Sequence, residues 1–158
     1  MFGQKLLFAV VAAATMNAGH AFGAEYGTAV EAKAMLDRAT LALKANLAGA
    51  IEKFNHNDWP FRDRDLYVFC FNGQDGKFVA HEAFIGSDVR DLKDRNGRSF
   101  GAEMYENARE GQIVEVALLS PFPGSTAQVP KRAYVTRIGD HVCGVSAYLY
   151  NGPGQPTE

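Results

Sequence analysis

Residues 67–81 read YVFCFNGQDGKFVAH, and this stretch limits the fold more than any other in the chain. Tyr67, Val68, Phe69, Cys70 and Phe71 are the aromatic, β-branched and small apolar types that suit a strand. Asn72, Gly73, Asp75 and Gly76 then supply the positive φ angles of a tight turn, before a second short run that ends at His81. Tyr67 and Phe69 alternate with Val68 and Cys70, so the two sets point to opposite faces, and both sets are apolar. A strand that is greasy on both faces needs cover on both. One of the two sets therefore borders whatever cavity the fold leaves beside this hairpin.

The flanking sequence offers that cover. Thr28 and Glu31 form a capping box, and behind them Met35, Leu36, Ala39, Leu43, Leu47, Ile51 and Phe54 recur at helical spacing. The spacing predicts one helix over 29–54, roughly 40 Å long at 1.5 Å per residue. It stops before Trp59-Pro60, since the residue preceding proline avoids the α region. After the hairpin (strand 66–72, turn 72–76, strand 77–82), residues 82–99 carry turn signals and one helical scrap at 89–93 and read as an ordered loop. Ser99 is placed to cap a short helix over 100–110, with Phe100, Met104 and Ala108 on one face and Gly111 as its stop. Strands follow over 113–119, 131–138 and 141–150, with a turn-rich excursion at 120–130. Strands in runs, segregated from helices, predict an α+β domain: a long N-terminal helix on a largely antiparallel five-stranded sheet, with the short helix and loop over a cavity on the other face.

The first residues read as a secretory signal peptide, 1–23. Lys5 precedes an apolar run at 6–14, and small residues at 15–23 suit cleavage after Gly23 or after Ala21. The apolar run is shorter than the roughly 20 residues that span a bilayer, although an uncleaved anchor is the alternative. No other segment is apolar enough to cross. A single domain is expected over 24–150 and a disordered tail over 151–158, with the protein periplasmic or secreted. An oxidising compartment allows Cys70 and Cys143 to form a disulfide, which makes the first and last strands neighbours; two buried thiols are the alternative.

Several chemistries find no footing. The formal charge is −2 with scattered basic residues, so no basic stripe exists for nucleic acid. His56, His81 and His141 lack ligand spacing, the cysteines form no CxxC, and no cofactor motif is present, so neither a metal nor a cofactor is expected. An enzyme built on His81 with Glu82 or Asp88 has no nucleophile with an oriented base, and no enzymatic activity is expected.

Three pieces, LYVFCFNGQDGKFVAH (66–81), FIGSDVRDLKDRNGRSFGAEM (84–104) and VPKRAYVTRIGDHVCGVSAYLY (129–150), carry a further reading by their order. Over about residues 27–150 the chain resembles a single Cache domain, of the PAS-like extracytoplasmic sensor family. The resemblance implies a PAS-like sheet and a sensor module for a small carboxylate, amino acid or similar metabolite. It also implies a membrane-bound signalling partner and a homodimer paired through the N-terminal helix. A buried carboxylate needs a cation and hydroxyl or amide donors. The resemblance implies Lys131 and Tyr134 as the first candidates for ligand contact, with Tyr67, His81 and Phe100 behind them. Tyr67 and Phe100 equally suit a core, and His81 a surface position. The alternative function is a periplasmic protein–protein interaction module without a small ligand.

Overall fold

The structure is a computed structural model and describes residues 26–149. The expected signal peptide (1–23) and C-terminal tail (151–158) lie outside the described residues.

Thr28 and Glu31 start the first helix, α1 (Ala29–Ala45), as a reciprocal capping box: the Glu31 amide donates to Thr28 Oγ1 and the Thr28 amide to Glu31 Oε2. The single helix expected over 29–54 is instead two. Asn46, with φ −158° and ψ 96°, ends α1 and caps α2 (Leu47–Asn55), its side-chain oxygen accepting the Gly49 amide at 3.1 Å. A short amide side chain competes with the helical backbone for such donors, which is why asparagine favours caps over helix interiors. The break shifts the helical phase, so Leu47, expected on the buried stripe, is exposed, while Ala50 and Phe54 are buried.

The strands are β1 (Arg62–Asp63), β2 (Leu66–Asn72), β3 (Phe78–Ala80), β4 (Val114–Pro121), β5 (Gln128–Ile138) and β6 (His141–Tyr148). All pair antiparallel in the order β1-β2-β6-β5-β4, with β3 on the second half of β2. The five expected strands are present, and the two-residue β1 joins them. The excursion at 120–130 is shorter than expected, because β4 runs on to Pro121 and β5 begins at Gln128. Pro130 is tolerated in β5 because it lies past the last residue of β6, where its missing N–H breaks no ladder; its carbonyl accepts the Leu149 amide. A 3₁₀ turn (Val89–Asp91) and a helix, α3 (Phe100–Asn107), cover the far face. α3 ends three residues before the expected 110, and Ser99 makes no side-chain cap to it.

Alternation then divides the core in two. Leu66, Val68 and Cys70 of β2, with Cys143, Val145 and Ala147 of β6, pack under α1 and α2. Phe69, Phe71, Phe78, Ala133, Val135 and Val142 pack on the other face with Val89 and Met104. Cys70 and Cys143 stand directly opposite in register and form a disulfide, so the first long strand and the last are neighbours.

Candidate functional site

On the α3 side of the sheet the two layers part around a cavity of about 150 Å³. A cavity of that size holds a benzene molecule, so it suits a ligand of about six non-hydrogen atoms. Its walls are mostly apolar: Phe69, Phe78, Ala133 and Leu118 from the sheet, Leu92 and Phe84 from the loop, Phe100 and Met104 from α3. The polar groups reaching it are Tyr67, His81, Ser120, Lys131 and Ser146.

Lys131 is half-buried, and its Nζ lies 4.3 Å from the centre of the Tyr148 ring. Among the described residues no carboxylate comes within 4.0 Å of it. Burial pulls its pKa below the ordinary lysine value, against a smaller opposing pull from Asp65. An anion bound here would supply the missing counter-charge.

His81 ends the hairpin among aromatic rings, with Phe84 at 4.7 Å, Phe78 at 4.9 Å and Tyr67 at 5.5 Å between centroids. Its Nδ1 accepts the Ala83 amide at 3.0 Å, which assigns the ring proton to Nε2. Nε2 stands 3.5 Å from the Tyr67 hydroxyl. Desolvation, and then the Lys131 charge, push the His81 pKa down to about 4, so the ring is neutral at pH 7. Burial also raises the Tyr67 phenol above its ordinary value and keeps it a proton donor. The cavity lining thus includes an ammonium, a phenol and an imidazole N–H, each a hydrogen-bond donor.

The covering loop is anchored rather than free. Phe78 and Gly86 bond across to the loop through Ser87 and Phe78 carbonyls, and Asp94 accepts the Leu119 amide of β4. Gly101 lets α3 approach the 3₁₀ turn, since a Cβ there would stand 1.8 Å from the Val89 carbonyl oxygen.

Of the five residues proposed for ligand contact, Tyr67, His81, Phe100 and Lys131 line this cavity. Tyr134 does not. It lies in the core under α1, its ring beneath Lys33 Nζ at 4.8 Å. Lys131 and Tyr134 are three residues apart in one strand, and a period of two places them on opposite faces. Glu82 and Asp88, the acids weighed beside His81, pair with Arg62 and Arg90 instead. Ser120 and Ser146 also line the cavity, and the sequence reading singles out neither. Ser146 carried a readable signal: a serine alternating with Val142 and Gly144 on the face opposite Cys143.

A second, more open cavity of about 520 Å³ adjoins the first and shares Tyr67, Ser120 and Lys131 with it. Arg62, Arg64, Asp65 and Glu82 line its outer part.

Comparison with known structures places the fold. A methyl-accepting chemotaxis protein from Vibrio parahaemolyticus superposes with a TM-score of 0.58 at 24% identity, over 76% of this chain and 87% of that one. A periplasmic sensor domain of a chemotaxis protein gives 0.54 at 21%, over 74% and 87%. A Cache chemosensory domain described for its carboxylic acid recognition gives 0.52 at 16%, over 74% and 85%. No curated protein matches the chain. The family model for Single Cache domain 2 matches residues 14–150. With the layered sheet, the ligand-sized cavity and this match over most of its length, the chain belongs to the single Cache domain family.

Proposed function

We propose that this sensor domain binds a small carboxylate, or a metabolite carrying one, in the cavity between sheet and α3. The observation that carries the reading is Lys131, a half-buried cation in an aromatic chamber with no carboxylate within 4.0 Å among the described residues, and with the Tyr67 hydroxyl and His81 among the other polar groups of its lining. Similarity to a Cache domain described as recognising carboxylic acid supports the same ligand class. Export through residues 1–23 to the periplasm fits the disulfide, which persists in an oxidising compartment.

Among the described residues no helix is long and apolar enough to cross a membrane. On this reading the bound state is passed to a partner protein, one anchored in the membrane. The outer face of α1 exposes Val30 and Leu41, three helical turns apart, which favours pairing through that helix with a second copy or with the partner. Light scattering across a concentration series tests the pairing: a constant monomer mass removes the homodimer.

Thermal denaturation of the purified protein against small carboxylates, amino acids and amines tests the ligand. Ligand at about 100 times its dissociation constant adds roughly 2.7 kcal/mol, a shift of several degrees in a domain of this size. A panel without any shift would overturn the carboxylate reading and leave the interaction module.

A further inference from the structure

Lys131 borders three cavities. Besides the inner chamber and the outer cavity it lines a third, of about 310 Å³, between residues 94–98 and strands β4 and β5. A lysine carries a compact charge on a flexible stem, so nothing in the side chain itself selects one of the three. Among the described residues no carboxylate within 4.0 Å fixes it, and Asp65 pulls on it only from farther away.

Tyr148 supplies the hold. The two residues stand directly opposite in β5 and β6, so their side chains leave the same face of the sheet. Lys131 Nζ lies 4.3 Å from the ring centre, well inside the roughly 6 Å reach of a cation–π contact. The ring is itself anchored. It is buried, its hydroxyl donates to the Pro121 carbonyl of β4 at 2.7 Å, and the rings of Phe122 and Tyr26 pack at 5.4 and 6.1 Å between centroids. Because β5 lies between β6 and β4, the side chain bridges over the strand that carries Lys131.

Building on the carboxylate reading, we propose that Tyr148 is the positioning residue of the site: its anchored ring holds the Lys131 ammonium in place before a ligand arrives. The choice of partner matters. An aromatic face attracts an ammonium without neutralising it, whereas a carboxylate partner would cancel the charge that an incoming anion needs. Ordering the stem beforehand also spares binding part of the rotamer freedom that a lysine otherwise gives up.

Two measurements on the full-length protein test this. Nuclear magnetic resonance reads the hold without ligand, because protons above a ring face resonate upfield. The ε-methylene protons of Lys131, assigned through Lys131→Arg, are expected upfield of the other lysines in the unaltered protein and in Tyr148→Phe. In Tyr148→Met they are expected back among the others. Calorimetric titration with acetate, propionate and butyrate reads the consequence. Tyr148→Phe should bind within about threefold of the unaltered protein and Tyr148→Met about tenfold more weakly, a difference of about 1.4 kcal/mol. Lys131 protons at the ordinary lysine position in the unaltered protein would overturn the proposal, and that readout decides even where Tyr148→Met does not fold. Tyr148→Met binding as tightly as the unaltered protein, or Tyr148→Phe as weakly as Tyr148→Met, would overturn the role of the ring and leave the carboxylate reading standing. No heat from any of the three acids in the unaltered protein would overturn that reading and the positioning role with it.

Discussion

Phe69 lies across Gly144: a Cβ carbon at position 144 would stand 2.5 Å from the ring's Cζ and 2.7 Å from a Val135 methyl. The two residues are directly paired in β2 and β6. Glycine is required here by contact rather than by backbone conformation, and it lets an aromatic ring serve as the cavity floor.

Gly144→Ala should therefore destabilise the domain by about 1–3 kcal/mol, the usual cost of overpacking. The added methyl also meets the Tyr134 carbonyl oxygen at 2.8 Å, and that backbone cannot swing aside as a side chain would. Urea denaturation measures the loss. A cost below about 0.5 kcal/mol would mean that Phe69 moves freely and is not a fixed floor.

The disulfide joins strands 73 residues apart in sequence. Closing a loop of that length removes about 4 kcal/mol of chain entropy from the unfolded state. Replacing Cys70 and Cys143 together by serine should lower stability by an amount of this order, read from denaturant midpoints with and without reductant. The parent protein in reductant should fall to the level of the double variant.

His81 makes stability depend on pH. Its folded pKa, about 4, lies below the ordinary 6.5, so between those values the unfolded chain takes up a proton that the folded ring refuses. Its contribution is greatest above pH 6.5, declines as the pH falls to about 4, and is constant below that. The decline should be about 2 kcal/mol after discounting for the ring's partial exposure. His81→Phe should flatten this part of the stability profile, measured by denaturant titration at stepped pH.

Lys131→Met should abolish the stabilisation by carboxylates while leaving the ligand-free protein within about 1 kcal/mol of the parent. The lost contact with Tyr148, worth about 1 kcal/mol, is offset because no ammonium is then desolvated. Tyr134→Phe, on the opposite face, should leave every ligand shift unchanged. Thermal denaturation of both variants with a binding carboxylate separates the two faces of β5.

The layering was legible in the sequence because it follows from alternation. Two apolar sets in β2 demand two covers, and a cysteine in each of two apolar runs names the strands that touch. The face that bounds the cavity was not legible, since Tyr67 and Phe69 differ from Val68 and Cys70 in bulk rather than polarity. Tyr134 shows the rule applied to residues singly instead of in pairs: its spacing from Lys131 already forbids a shared face. Asn46 gave no strong signal because the apolar spacing continues past it, and only the Gly49 contact reveals it as a cap.

The interruption at Asn46 has a mechanical side. α1 rests chiefly on β5 and β6, which carry Lys131 and Ser146, whereas α2 rests on β3 and β2, with Asn55 bonded to the Val79 carbonyl. Phe78 lies in β3 and His81 follows it directly, so the two helices lie behind different strands of the sheet that forms one wall of the cavity. An unbroken rod would hold both sets of strands to a single helix axis. Two helices joined at Asn46 can instead each follow their own strands.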